Sequence, residues 1–244
     1  MLSSIALGGW IYAAAFACVA LAAAVQGSTG LGFGLLAAPI LGMMDPAFVP
    51  GPLLALAFLI SVLQAAREWR SIDPAKLLVA LCGRIPASFL AGLSISLMPA
   101  SAFGVTFSVL VLAAVGLSLA GPRVRTTPGT LFTAGAASGY MGTLTSIGAP
   151  PMAIVLQNAA GPEVRSTMGA FFVVGAGFSI AALALFGHFG RTEMILTAYL
   201  APAVPVGFAL SFWGRRAVDR GRVRPVLLGL SAVSALLLLA KSLA

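Results

Sequence analysis

Two stretches carry glycines and hydroxyl groups where a greasy segment should be uninterrupted. VQGSTGLGFGLLAA over 25–38 and GYMGTLTSIG over 139–148 place Gly27, Ser28, Thr29 and Gly30, and then Gly142, Thr143, Thr145 and Ser146, in the middle of long apolar runs. A third chemical group, Arg84, lies inside the apolar stretch KLLVALCGRIPASFLAGLSISL. Glycine lets a backbone turn and bare its N–H groups, hydroxyls add donors beside them, and a guanidinium is a planar fork suited to two oxygens of one anion. Together these residues could hold a small anion. The plainer alternatives are that the small residues allow close helix packing and that Arg84 clamps backbone carbonyls of a neighbouring segment. A nucleotide site fails, because no strand precedes the glycines and neither a GKS/GKT run nor an acidic ribose partner follows.

The elements that must position these groups follow from composition. Sixty per cent of the 244 residues are hydrophobic and 8% are charged, with a mean hydropathy of +1.06. No soluble domain could cover such a core, so the chain reads as an all-α polytopic membrane protein. A crossing takes about 20 helical residues, which leaves room for roughly seven or eight crossings' worth of helix in a single transport domain. The formal charge of +8 resides in short loops between apolar segments, where it reports orientation and not nucleic-acid binding. Cys18 and Cys82 fall within apolar segments and read as small buried hydrophobes, with no metal site or cofactor indicated. No Lys or Arg precedes Arg67. The N-terminal stretch therefore lacks the basic region of a cleavable signal and is read as part of the mature chain.

Charge and Pro/Gly punctuation divide the chain into apolar segments at about 9–44, 47–66, 77–97, 101–120, 129–157, 167–187, 194–213 and 225–240. As continuous helices the first and fifth would be about 54 Å and 43 Å long, too long for one crossing. Each is broken near its middle by the glycine and hydroxyl cluster, which predicts two short half-helices forming a re-entrant hairpin. The breaks also match one another: Gly27, Gly30, Ala37 and Pro39 recur as Gly139, Gly142, Ala149 and Pro151, 112 positions on (139 minus 27). This predicts a duplication, with repeat 1 over about 9–120 and repeat 2 over about 129–244.

Arginine placement sets the orientation. Arg215, Arg216, Arg220, Arg222 and Arg224 share one loop, and Arg123, Arg125, Arg165, Arg67, Arg70 and Lys76 fall on the same side if 129–157 is a hairpin. That side is cytoplasmic by the positive-inside rule. Each repeat then has three crossings plus a hairpin, so the second is inverted and both termini lie outside. Inverted repeats with broken helices are the architecture of secondary transporters, whose sites lie where the breaks meet. A half-helix beginning at a break aims its positive end at that site, which favours an anion. Asp45, Glu68, Asp73, Glu163, Glu193 and Asp219 lie at segment ends or in loops, and His188 lies in a short outer loop. No carboxylate is placed as a mid-membrane proton relay, and outward uniport of an anion needs none, because an inside-negative potential drives it at about 2.3 kcal/mol per charge per 100 mV.

GLGFGLLAAPIL with the following helix ending AAREWRSID, and GYMGTLTSIGAPPMAIVLQNAAGPEVRSTMGAFFV, resemble the TauE/SafE sulfite exporter family over nearly the whole chain. Where the family has a glycine-rich run in its second repeat, this chain has TLTSIGAPP. The resemblance implies a non-enzymatic, multi-pass permease of the bacterial-type inner membrane that moves sulfite, sulfonate or sulfoacetate outward. A channel, or a carrier of another small carboxylate or metabolite anion, is the alternative. The expected partners are the anion and the bilayer, with homo-oligomerisation left open. An intramembrane hydrolase lacks its nucleophile motif and has its sole histidine in a loop.

Overall fold

The structure, a computed structural model, describes residues 9–121 and 124–218 together with isolated helical positions at 229, 232–233, 236–237 and 239–240. The described residues form α1 (Gly9–Thr29), α2 (Phe33–Met44), α3 (Gly51–Arg67), α4 (Pro74–Leu97), α5 (Ala100–Ala120), α6 (Pro128–Thr145), α7 (Ala149–Val155), α8 (Gly161–Leu185), α9 (Arg191–Leu200) and α10 (Ala203–Val218). Five stretches among them, α1, α4, most of α5, α8 and the α9–α10 run over Arg191–Phe212, are long and apolar enough to cross a membrane. Large side chains such as Trp10, Leu78, Leu90, Leu97, Phe132 and Leu185 face outward. That is the surface of a multi-pass protein whose solvent is hydrocarbon.

Local chemistry explains where the helices start and stop. Asp73 accepts from Lys76 N at the start of α4, with Pro74 in the first turn. Thr127 before α6 and Thr130 in its first turn cap the helix reciprocally, with Pro128 at its first position, and Gly121 ends α5 in the left-handed conformation. These are the usual partners for amides and carbonyls that a helix end leaves over. All five acidic residues that are described lie at such ends. Asp45 accepts from Ala47 N, and Glu193 accepts from Gly190 N. Glu68 pairs with Arg165, and Asp73 and Glu163 share Lys76.

Two helix pairs form the frame. α4 packs along α6 and α1 along α10, with the most extensive contacts in the fold. Both are backbone-to-backbone contacts. A Cβ at Gly83 or Gly135 would overlap the carbonyl of Phe132 or Ala80, and one at Gly207 would overlap that of Ala20. Small residues drive such approaches in membranes, where lipid offers no hydrophobic force between helices. α3 and α8 cross between the pairs, touching where Gly169 lies on the Ala65 backbone.

Both broken segments fold back. α1 packs on α2 and α6 on α7, and Thr126, before α6, donates to the Val155 carbonyl at the end of α7 (2.7 Å). The second broken segment therefore returns to the side from which it started. The arms are unequal, not two short halves: α1 has 21 residues and α2 12, while α6 has 18 and α7 only 7. The expected 194–213 helix is interrupted as well, by a turn at Ala201 and Pro202. Cys82 is exposed and Cys18 half-buried. The reading of both as buried fails at Cys82, which lies on an exposed face of α4. Arg123, Arg220, Arg222, Arg224 and Asp219 lie outside the described residues, as does most of 225–240.

Candidate functional site

The two breaks have one design. Thr29 Oγ1 accepts from Leu31 N (3.1 Å) and donates to the Val25 carbonyl (3.0 Å). Thr145 Oγ1 accepts from Ile147 N (3.1 Å) and donates to the Met141 carbonyl (2.7 Å). The next residue has positive φ in each, 90° at Gly30 and 62° at Ser146. The helix beyond starts at Phe33 and at Ala149. These equivalences are 116 positions apart (145 minus 29), not the 112 of the glycine match, so Gly30 corresponds to Ser146 and not to Gly142.

The tips touch each other. A Cβ on Gly34 would occupy the Ser146 carbonyl oxygen, so the glycine is what lets the backbones meet. Around the contact lies a cavity of about 30 Å³, bordered by Gln26, Gly34, Ser61, Ser146, Gly148 and Phe172 among others. Of the expected residues only Ser146 lines it. Ser28 donates to the Ala24 and Ser211 carbonyls, Thr143 to the Gly139 carbonyl while touching Ser179, and Ser146 to the Pro50 carbonyl. Gly30 lies on Arg165, Gly27 on Ser211 of α10, and Gly142 on Gly148. These residues build the tips.

Arg84 is 1% exposed. Its Nη1 donates to Ser138 Oγ (2.7 Å), which donates to the Gly148 carbonyl (2.6 Å). The guanidinium lies over Phe171 and Phe172, 4.7 and 5.3 Å from the ring centroids, and its Nε has no hydrogen-bond partner. No carboxylate pairs with it among the described residues. Phe172 and Gly148 also border the cavity. The charge is thus one layer behind the cavity wall. Buried so deeply, a cation normally has an anion or a dense set of acceptors.

Three groups not singled out from the sequence hold the first break. Gln26 Oε1 accepts from Phe33 N at the start of α2 (3.3 Å). Gln64 Nε2 donates to the Gly30 and Arg165 carbonyls (3.2 and 2.6 Å). Arg67, expected in a loop, ends α3, donates to the Gly27 carbonyl at the end of α1, and lies over Phe208 (4.7 Å). A cation there offsets the negative helix end. The tip of the second pair differs: Pro150 and Pro151 open α7, so two of its leading residues have no N–H to offer a ligand.

An all-helical, multi-pass protein with paired hairpin tips meeting at a small cavity, backed by a buried cation, defines a membrane transporter class of architecture. The sulfite exporter TauE/SafE family profile matches residues 15–238, and the chain belongs to that family. No curated protein and no solved structure matches it.

Proposed function

We propose that the protein is a secondary transporter that moves small sulfur-containing anions out across the bacterial-type inner membrane, with its site where the two hairpin tips meet. The observation that carries this reading is Arg84, a fully buried cation without a carboxylate partner, one layer from a cavity at the meeting of two broken helices. An anion in the cavity would supply the missing counter-charge. In this reading Arg84 provides the positive potential and Ser146 borders the anion. Gly27, Ser28, Thr29, Gly30, Gly142, Thr143 and Thr145 hold the tips in shape.

The two halves are inverted repeats. Support comes from the repeated Thr29 and Thr145 turns and from the exchange of partners between halves, since α1 pairs with α10 while α6 pairs with α4. Orientation follows from charge. Lys76–Glu163 joins the starts of α4 and α8, and Arg165–Glu68 joins the start of α8 to the end of α3, whereas Ser96 contacts His188 (3.2 Å) at the other end of α4 and α8. The Arg67, Arg70, Lys76 and Arg165 side is cytoplasmic and the termini lie outside.

The test is sulfite efflux from proteoliposomes containing the full chain. Efflux that saturates with sulfite marks a carrier, and a linear dependence marks a channel. Arg84→Ala is expected to weaken sulfite affinity through the lost positive potential, and Arg84→Lys, which keeps the charge, less. Unchanged sulfite affinity in a folded Arg84→Ala protein would make Arg84 a structural clamp.

A further inference from the structure

We propose that Gln26 is the anion-contacting donor of the cavity, that Ser61 positions it, and that the cavity admits a bare inorganic oxyanion but not one carrying an organic tail. This assignment rests on the transporter reading above and goes beyond it in naming the contact and its size limit. Gln26 sits on the last turns of α1, is 5% exposed, and borders the cavity with Ser61 of α3, which is fully buried. Phe33 N donates to its Oε1 (3.3 Å). That contact fixes which end of the amide is oxygen, so the NH₂ end is directed to the opposite side. There Nε2 meets Ser61 Oγ at 3.4 Å, a long contact. The Ser61 proton is committed to the Ala57 carbonyl (2.6 Å), leaving its oxygen as an acceptor. An amide nitrogen carries two N–H groups, and Ser61 takes one. The other is available to the cavity.

A neutral amide suits this position. It donates to an anion without adding a second desolvated charge, and Arg84 already supplies one from behind Phe172 and Gly148. The lining also includes Ala57 and Phe172, which offer nothing to a polar or charged substituent. The space is small, about 30 Å³, room for about two water molecules, and that smallness is the ground for excluding an organic tail.

Equilibrium binding of sodium sulfite and sodium methanesulfonate to the purified full-length protein tests the assignment. The parent is expected to bind sulfite at least about tenfold more tightly than methanesulfonate. Gln26→Glu keeps an oxygen for Phe33 N but replaces the donor with a negative charge, and should lower sulfite affinity more than about 30-fold while the ligand-free thermal midpoint stays near the parent's. Ser61→Ala should lower it about 3- to 10-fold. A folded Gln26→Glu protein that binds sulfite as the parent does overturns the assignment and leaves the transporter reading standing. If Gln26→Glu does not fold, Ser61→Ala decides, and unaltered affinity overturns it. Methanesulfonate bound within about twofold of sulfite overturns the size limit. A parent protein that binds no sulfite overturns the sulfur-anion reading, and this assignment falls with it.

Discussion

At the scale of single residues, glycines decide where the buried cation can lie. A Cβ on Gly175 would stand in the Arg84 guanidinium, and one on Gly139 would overlap the Arg84 carbonyl. Gly177, on the same helix, has open space around it. Gly175→Ala should therefore destabilise the protein by about 1–3 kcal/mol through overpacking and reduce sulfite efflux. Gly177→Ala should be neutral or stabilise by about 0.5–1 kcal/mol. Thermal midpoints in detergent read both. Arg84 stands out in the sequence because a charge eight residues beyond Lys76 is costly at that depth. Gln26 gives no comparable signal: a neutral amide beside a glycine and hydroxyl cluster looks like one more polar residue, and only its contact with Phe33 N marks it. Arg67 misleads for the opposite reason. It ends an apolar segment, which reads as a loop, yet the bundle turns it back onto the Gly27 carbonyl.

Among the elements, the hairpins were visible as glycine-rich breaks, but their shape was not. The glycine match lies 112 positions on, whereas the turns themselves repeat after 116, because it is threonine and a positive-φ residue that form each turn. Such a residue can be Gly30 in one turn and Ser146 in the other, so residue identity hides the likeness. Gly34→Ala would drive the tips apart at the Ser146 carbonyl and should abolish efflux without preventing membrane insertion. Gly42→Ala meets Val49 Cγ2 at 3.4 Å and the Phe107 ring at 3.7 Å, ordinary contact distances, and should be tolerated. The start of α4 responds to pH. The Lys76 backbone N–H and ammonium hold the Asp73 carboxyl below the usual carboxylate range. A depressed folded value means the cap stabilises above the unfolded value near about 3.9 and loses its effect as pH falls below it. Asp73→Ala should cost about 0.5–2 kcal/mol at neutral pH, and the gap to the parent should close below about pH 4 in urea titrations.

For the whole molecule, sidedness is the most direct check. In a background lacking Cys18 and Cys82, cysteine at Arg70 should react from the cytoplasm and cysteine at Arg191 from outside, since the 25-residue α8 separates these ends. Reaction of both from one side would remove the orientation and the inverted repeat together. The packing of α1 on α10 also bears on how the chain is made. Ser28 of α1 donates to the Ser211 carbonyl of α10, 183 positions later, and Gly207 of α10 lies on the Ala20 backbone. At 5–20 residues per second, ribosomes need roughly 10–40 s to deliver that partner. During this interval α1 sits in the bilayer with its small-residue face bare, open to lipid, to insertion chaperones or to another nascent chain. The late helix α10 therefore completes the first, and a ribosome stalled before α10 leaves a membrane-inserted chain whose first helix lacks that partner.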